Sequence, residues 1–217
     1  MRFPRWAYVG SAVVWGVTVL ATAAVYARLP DPMVTHWGPG GAADGFLPRG
    51  WGAWLLPGMM AALGVLYWGL VPALEPWRAN LQRFVRAYAA VGVGLLLFLA
   101  LLQGWVLAWN LGWRGDIRRF LGLAFAGLNA GLAWALPQAR PNWFFGLRTP
   151  WTLSSPRVWH EVHRGAAGVF GLAAGLSLGA VVWPPLLMVA VAWMVVGSWG
   201  LVAYSWWLYR RYAAAEP

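Results

Sequence analysis

Long apolar runs are the feature of this sequence that most restricts its fold. Six runs follow one another along the chain, and each is close to the roughly 20 residues that a helix needs to cross a bilayer. They cover residues 6–26, 51–74, 84–109, 120–136, 165–183 and 186–209. Because a backbone in lipid must satisfy its own hydrogen bonds, we expect these runs to be helices. The sequence therefore predicts an all-α fold: a polytopic integral membrane protein built as one bundle of six transmembrane helices.

The composition indicates that lipid is the solvent for much of the chain. Of the 217 residues, 61% are hydrophobic and only 10% are charged, whereas soluble domains carry about 25% charged residues. So few charges cannot cover the surface of a water-soluble domain of this length. A cleaved signal peptide is the alternative interpretation of the first run, since signal peptides are also apolar segments that follow basic residues near an N-terminus.

The basic residues predict an orientation. All 16 are arginines, and they lie singly or in pairs at the ends of the apolar runs rather than in a stripe that would suit nucleic acid. Cytoplasmic segments of membrane proteins are enriched in such residues. With both termini in the cytoplasm, 11 of the 16 arginines fall on the cytoplasmic side and 5 fall outside. The loop 29–50 is then predicted to face outward, and the loop 137–164 to face the cytosol.

The spans contain small residues at helical spacing. Gly171, Gly175 and Gly179 recur every four residues and share one face of the fifth span, which is typical of close helix packing. We interpret that face as a packing surface within the bundle, with a homodimer interface as the alternative. No Asp, Glu, Lys or His lies near a span centre, where only mild polar groups such as Gln103 and Asn129 occur, so the charged residues typical of an ion pathway are missing there.

The outer loop carries candidate ligand groups. They are His36, Asp31 and Asp44, set among prolines and glycines that favour a shaped, turn-rich segment. Two interpretations stay open. His36 and Asp44 either hydrogen-bond within the loop and hold its shape, or they belong to a three-ligand metal site.

The cytosolic loop predicts a helix that begins near Pro156, because proline suits a first helical position and Ser or Thr at residues 152–155 can cap it. His160 and His163 share a face of that helix. Their separation of three residues differs from the four-residue separation in zinc-protease motifs. The chain has no cysteine, which excludes thiolate metal sites and cysteine nucleophiles. No Ser–His–Asp set, phosphate loop or pair of catalytic carboxylates is found either, so we expect no catalytic residues, no bound metal and no cofactor.

Two stretches resemble known families. The first contains Leu29-Pro30-Asp31, Thr35-His36-Trp37, Gly41 and Asp44-Gly45. The second contains Asn142, Gly146-Leu147-Arg148-Thr149-Pro150-Trp151, Trp159 and His163-Arg164. The first resembles the DUF1648 segment, the second resembles the signature of the SdpI family, and they occur in that family's order. They divide the single transmembrane domain into a DUF1648-like helical hairpin, residues 1–75, and an SdpI-like region, residues 84–210.

The resemblance implies a multi-pass immunity and signalling protein of the bacterial plasma membrane. The best-known members protect a cell from its own secreted antimicrobial peptide, and on meeting it they hold a cytosolic transcriptional repressor at the membrane. By that resemblance, His36 and Asp44 meet an extracellular toxin or envelope signal. The motif residues that meet the cytosolic partner or lock the inner face of the bundle are Asn142, Gly146, Arg148, Thr149, Pro150, Trp151, Trp159 and His163. Two other functions stay open: a small transporter or channel, and a membrane-embedded metal-dependent hydrolase.

Overall fold

The computed structural model describes residues 2–213. In chain order the elements are helix α1 (Arg5–Val25), strands β1 (Met33–Trp37) and β2 (Ala43–Leu47), and helices α2 (Arg49–Gly52), α3 (Leu55–Val65), α4 (Val71–Leu74), α5 (Arg78–Arg83), α6 (Val85–Asn110), α7 (Ile117–Ala135), α8 (Pro150–Ser154), α9 (Pro156–Gly179) and α10 (Leu186–Ala213). The chain ends, predicted to be cytoplasmic, include residue 1 and residues 214–217, which lie outside the described part.

Five helical segments among the described residues have the length and apolar character of a membrane span. They are Arg5–Arg28, Arg49–Leu74, Val85–Asn110, Ile117–Gln138 and Leu186–Tyr212. Each coincides with a predicted run, which confirms a multi-pass helical membrane fold. The fifth predicted run lies in α9, whose polar first half contains His160, His163 and Arg164 and lowers its hydropathy below that of the other five.

Helix α9 begins earlier than the predicted fifth span. It starts at Pro156 rather than at residue 165, and Ser155 Oγ accepts a hydrogen bond from the N–H of Val158 at 3.3 Å as the N-cap. The predicted helix start at Pro156 is therefore confirmed. The polar first turns continue into the apolar part without a break, and the whole helix packs against α7 and α10.

The second span is an interrupted helix. A π-helical turn, Leu66–Leu70, joins α3 to α4. The carbonyl of Tyr67 has no helical partner there, because the N–H of Val71 reaches back to Leu66 and Pro72 has no N–H. Tyr88 of α6 donates its hydroxyl to that carbonyl at 2.8 Å, and Tyr67 donates to the carbonyl of Tyr88 at 2.8 Å. This reciprocal pair fixes the second span against α6.

Residues 33–47 form an antiparallel hairpin where the sequence predicts a turn-rich loop. The strands pair from Met33 opposite Leu47 to Trp37 opposite Ala43. Valine, threonine and tryptophan in β1 favour a strand, and Gly41, with φ of 84°, allows the tight turn between the strands. The described fold is therefore helical apart from one small hairpin, which is consistent with the all-α prediction.

The two motif regions lie at opposite ends of the helical bundle. The hairpin end comprises residues 29–50, 111–116 and 180–185, and the loop end comprises residues 75–84 and 139–163. At the hairpin end, Arg119 Nη1 donates to the carbonyl of Val181 at 2.6 Å. At the loop end, the N–H of Trp143 donates to Glu75 at 2.9 Å. Helix α9 begins at the loop end and finishes at the hairpin end.

Two of the three predicted packing glycines face away from the bundle. Gly171 and Gly175 are exposed, and no neighbouring atom of the described chain lies within 4 Å of the position that a Cβ would occupy. Gly179 differs, because a Cβ there would lie 2.8 Å from Leu186. In the single chain, Gly171 and Gly175 therefore do not pack against another helix. The homodimer alternative stays a prediction.

Candidate functional site

His36 and Asp44 meet across the hairpin. His36 Nδ1 and Asp44 Oδ1 are 2.6 Å apart, and the two side chains are 71% and 51% exposed. Asp31 lies apart from them, and its Oδ1 accepts a hydrogen bond from the N–H of Arg49 at 3.0 Å. A three-ligand arrangement is not formed here. Among residues 2–213, no group of three or more His, Cys, Asp or Glu side chains could hold a metal ion.

Two glycines make room for this pair. Gly45 lies opposite His36 in the hairpin, and a Cβ on it would be 2.6 Å from the Cβ of His36. A Cβ on Gly38 would be 2.7 Å from Asp44 Oδ2. Both separations are too short for real carbon contacts. Steric crowding therefore explains why glycine occupies residues 38 and 45, which the sequence pattern alone does not show.

Asn110 fixes the hairpin to the end of α6. Its Oδ1 accepts from the N–H of Val34 at 2.9 Å, and its Nδ2 donates to the carbonyl of Val34 at 2.8 Å. The amide thus binds the free edge of β1 as a neighbouring strand would. Trp37 adds an edge-to-face contact with Trp109 at 5.5 Å between ring centroids. These contacts position His36 at the end of the bundle.

Two largely apolar cavities flank His36 and Trp37. The larger, about 590 Å³, lies between the hairpin and the first turns of α7 and α10. The smaller, about 300 Å³, lies between β1, the start of the second span, and helices α6 and α7. Four wall residues are shared by both cavities: His36, Trp37, Ile117 and Leu121. Apolar walls with a few polar groups are typical of small-ligand sites.

Arg118 lies in the wall of the larger cavity and is held by Asp116. Its Nε and Nη2 atoms donate to the two carboxylate oxygens at 3.0 and 2.9 Å. Hydrogen bonding from Arg118 is the main reason that the pKa of Asp116 is lowered. Asp116 also caps α7 by accepting from the N–H of Arg118 at 3.0 Å. The guanidinium is therefore fixed in place, with its charge balanced in the free protein.

At the loop end, Asn142 shapes the segment between α7 and α8. It is fully buried, and its Oδ1 accepts from the N–H groups of Phe144 and Phe145 at 3.0 and 2.6 Å. Its Nδ2 donates to the carbonyls of Arg140 and Phe145 at 2.8 and 3.0 Å. All four hydrogen bonds of this side chain are made within the loop, so Asn142 acts as its internal scaffold.

His163 supports the same loop from α9. Its ring stacks on Trp159 with centroids 4.1 Å apart, and Nε2 accepts from the N–H of Leu147 at 3.0 Å. Nδ1 therefore carries the proton and donates to the carbonyl of Trp159 at 2.8 Å. Burial lowers the pKa of His163 to about 4, so the ring is neutral at pH 7. Gly146, with φ of 98°, lies against Nε2, and any Cβ there would collide with it.

Thr149 starts α8 and ties it to α10. Its Oγ1 accepts from the N–H of Thr152, Thr152 Oγ1 accepts from the N–H of Thr149, and Pro150 takes the first helical position. Thr149 Oγ1 also lies 3.2 Å from Ser205 Oγ of α10. Trp151 is half-buried against the apolar cluster at this end.

Arg148 points to the surface of the loop end. Its Nη1 donates to the carbonyl of Trp143 at 2.7 Å, and the residue is exposed. Trp143 and Phe144 are also exposed, at 49% and 38%. Exposed aromatic and arginine side chains on a rigid loop are the composition expected of a protein-binding surface.

Family models match both motif regions. The model described as the SdpI/YfhL protein family matches residues 138–209, which contain the ordered loop, α8, α9 and most of α10. A model described as a domain of unknown function, DUF1648, matches residues 13–61, which contain the His36–Asp44 pair. Residues 138–209 belong to the SdpI/YfhL protein family. No curated protein and no solved structure matches the chain significantly.

Around this SdpI/YfhL family region and the DUF1648 match, the predicted site residues form two separate groups. His36 and Asp44 contact each other at the hairpin end. The residues that lie together at the loop end are Asn142, Gly146, Arg148, Thr149, Pro150, Trp151, Trp159 and His163. Most of the second group hold the loop's own structure, whereas Arg148 and Pro150 are exposed at its surface.

Glu75 is a site residue that the sequence pattern did not reveal. It is 1% exposed; Oε1 accepts from the N–H of Trp77 at 2.9 Å, and Oε2 accepts from the N–H of Trp143 at 2.9 Å. The sequence presents it only as the polar residue that ends the second span. The signal that could have identified it is its isolation, a lone acidic residue between an apolar span and Pro76.

Proposed function

We propose that this SdpI/YfhL family protein is an immunity or sensor protein of the bacterial plasma membrane. It crosses the membrane six times, with its termini and its loop end in the cytoplasm and its hairpin end outside. The hairpin end binds an extracellular peptide toxin or envelope signal, and the loop end docks a cytosolic transcriptional repressor. Membership of the family supports this assignment.

The path of α9 supports six crossings. The helix runs from the loop end to the hairpin end and packs against α7 and α10, which are both in apolar segments long enough to cross a membrane. We therefore expect α9 to cross the membrane beside them. Within its polar first turns, His163 contacts the loop by accepting a hydrogen bond from the N–H of Leu147. The excess of arginines at the loop end favours the cytoplasmic side for that end.

Cysteine labelling tests this orientation directly, because the natural chain has no cysteine. Gly40 in the hairpin turn and Ser154 at the end of α8 are both exposed. In intact cells, a membrane-impermeant maleimide is expected to label Gly40→Cys and to label Ser154→Cys only after the membrane is opened. Labelling of both positions in intact cells would contradict the proposed arrangement.

The observation that carries the functional proposal is the pair of cavities beside His36 and Trp37. They lie at the end predicted to face outward, they are apolar enough for an amphipathic ligand, and a fixed arginine lines one of them. The chain runs from β2 through the second span to Glu75, which binds the loop on the other side. The second span therefore connects the hairpin to the residue that holds the loop at the other end of the bundle.

A survival assay tests the function. A susceptible host that makes the protein is expected to survive a secreted apolar antimicrobial peptide better than a host without it. His36→Ala is expected to reduce that protection at least about tenfold, because it removes the Asp44 contact and part of the wall of both cavities. Colony counts after peptide exposure give the measurement.

Gly40→Ala is the matched control, since Gly40 is exposed in the same hairpin and has open space beside it. Each variant must be present in the membrane at the level of the unmodified protein. Arg148→Ala distinguishes the function of the loop end from that of the hairpin end. In this variant, a reporter of repressor release should lose its response to the peptide, while protection against the peptide changes less. Full protection by His36→Ala would argue against a ligand site at the hairpin.

A further inference from the structure

Three hydrogen-bond donors lie on one exposed face of α9, in its first turns. They are Arg157, His160 and Arg164, spaced three and four residues apart, and all three are exposed. Arg164 Nη2 and His160 Nε2 are 2.9 Å apart. Since a guanidinium group can only donate, Nε2 is the acceptor and Nδ1 carries the ring proton. The face therefore presents two guanidinium groups and one imidazole N–H.

Contacts with neighbouring side chains position both guanidinium groups. The Cζ atom of Arg157 lies 3.9 Å from the ring centroid of Tyr212 in α10. The hydrogen bond to His160, one turn earlier in the helix, directs the Arg164 side chain toward the start of α9. An arginine that is stacked on a ring or bonded once keeps most of its N–H groups for another acceptor.

Arg164 begins within the apolar part of the bundle. Its neighbour Gly165 lies against α10, since a Cβ on this glycine would be 3.5 Å from Leu201 Cδ2. Leu201 is more than one helical turn nearer the bilayer centre than Trp206 and Trp207, which are exposed. Exposed tryptophans near the end of a span mark the membrane interface. An arginine that starts below them extends its side chain up to the headgroups, where a lipid is nearer than any soluble protein.

The chain itself does not balance the charge of this face. The three ion pairs within residues 2–213 all lie at or beside the hairpin end, where the acidic partners are Asp44 and Asp116. Glu161 lies between the two arginines along α9, but it is half-buried and forms an ion pair with neither. Arg157 and Arg164 are therefore free to pair with an anion from outside the chain. Phosphate oxygens match a guanidinium group in both charge and geometry.

We propose that this face of α9 binds the phosphate of an anionic phospholipid in the leaflet at the loop end. The phosphate accepts hydrogen bonds from Arg164 and from His160 Nδ1, and Arg157 adds a second positive charge beside it. Further along the same face, Gly168 and Leu172 are exposed and apolar, so the acyl chains can lie there. Basic sites between transmembrane helices bind such headgroups. The site is at the opposite end of the bundle from the proposed toxin site and does not depend on it.

Native mass spectrometry of the full chain, released from a non-ionic detergent, tests the site. Dioctanoyl phosphatidylglycerol is expected to bind at least about fivefold more tightly than dioctanoyl phosphatidylcholine, whose choline group cancels the phosphate charge. Arg164→Gln should weaken phosphatidylglycerol binding about fivefold. Arg83→Gln is the matched control, because it removes the same charge from an exposed residue of α5 at the loop end. That variant should change binding less than about twofold.

Two competitors identify the source of the anion. Inorganic phosphate and a short polyglutamate peptide are expected to displace the lipid only at much higher concentrations, because neither brings acyl chains. Displacement by phosphate at the lipid's own concentration would indicate a site for a soluble anion, and displacement by polyglutamate would indicate a site for an acidic protein. Either result would overturn the lipid assignment.

The two arginine variants also test whether there is a defined site. If Arg164→Gln and Arg83→Gln weaken binding equally, the charge of the whole loop end attracts the lipid and the proposal for α9 falls. The same conclusion follows if phosphatidylglycerol and phosphatidylcholine bind equally well to the unmodified protein.

Discussion

Gly146→Ala is expected to destabilise the protein by about 3–5 kcal/mol, enough to prevent most of it from accumulating in the membrane. Gly146 has φ of 98°, a conformation that costs an L-residue roughly 1–2 kcal/mol. The new Cβ also collides with His163 Nε2, so the ring must move. The N–H of Leu147 then loses its acceptor, which costs about 1–3 kcal/mol for a buried group.

The measurement is the melting temperature in detergent, together with the amount of folded protein recovered. Gly171→Ala is the matched control, because Gly171 lies within helix α9 and has open space where a Cβ would be. Alanine is a better helix former than glycine, so that variant should be unchanged or up to about 1 kcal/mol more stable. If the two variants melt within about two degrees of each other, the loop does not need a glycine at residue 146.

The motif at the loop end could be identified from the sequence, but the reasons for its residues could not. Asn142, Gly146 and His163 stand at the positions that the family resemblance implies, and the structure brings them together. The sequence does not show that the glycine is required by the histidine 17 positions later, because that contact depends on how α9 returns under the loop. The predicted partner-binding role stays a prediction for Arg148, whose side chain lies at the surface.

The spans were predictable because lipid demands long apolar helices, and their bounds agree with the structure within a few residues except at α9. Single polar residues at span ends were not predictable in the same way. Asn110 binds Val34, and Glu75 binds Trp143, and both pairs are far apart in the sequence. In the sequence each looks like the polar residue that marks where a span ends.

Glu75→Ala is expected to have the second large effect, a loss of about 2–5 kcal/mol together with local opening of the loop end. The carboxyl group accepts the N–H of Trp77 in its own turn and the N–H of Trp143 in the loop. Alanine leaves both N–H groups enclosed without an acceptor, at about 1–3 kcal/mol each. Hydrogen exchange of residues 139–149, measured by mass spectrometry, should become faster at the same time.

Glu75→Gln separates loss of an acceptor from loss of volume. One oxygen remains to accept one N–H, but the amide NH₂ then faces the other N–H as a second donor, so about half of the effect should persist. Glu161→Gln is the control, since Glu161 is only half-buried on α9 and makes no ion pair with another described residue. Glu75 ends the second span, and Trp143 lies in the loop between α7 and α8. Faster exchange confined to residues 139–149 would therefore show that the Glu75 carboxyl holds this loop against the second span. Unchanged exchange in Glu75→Ala would mean that the loop is held there without it.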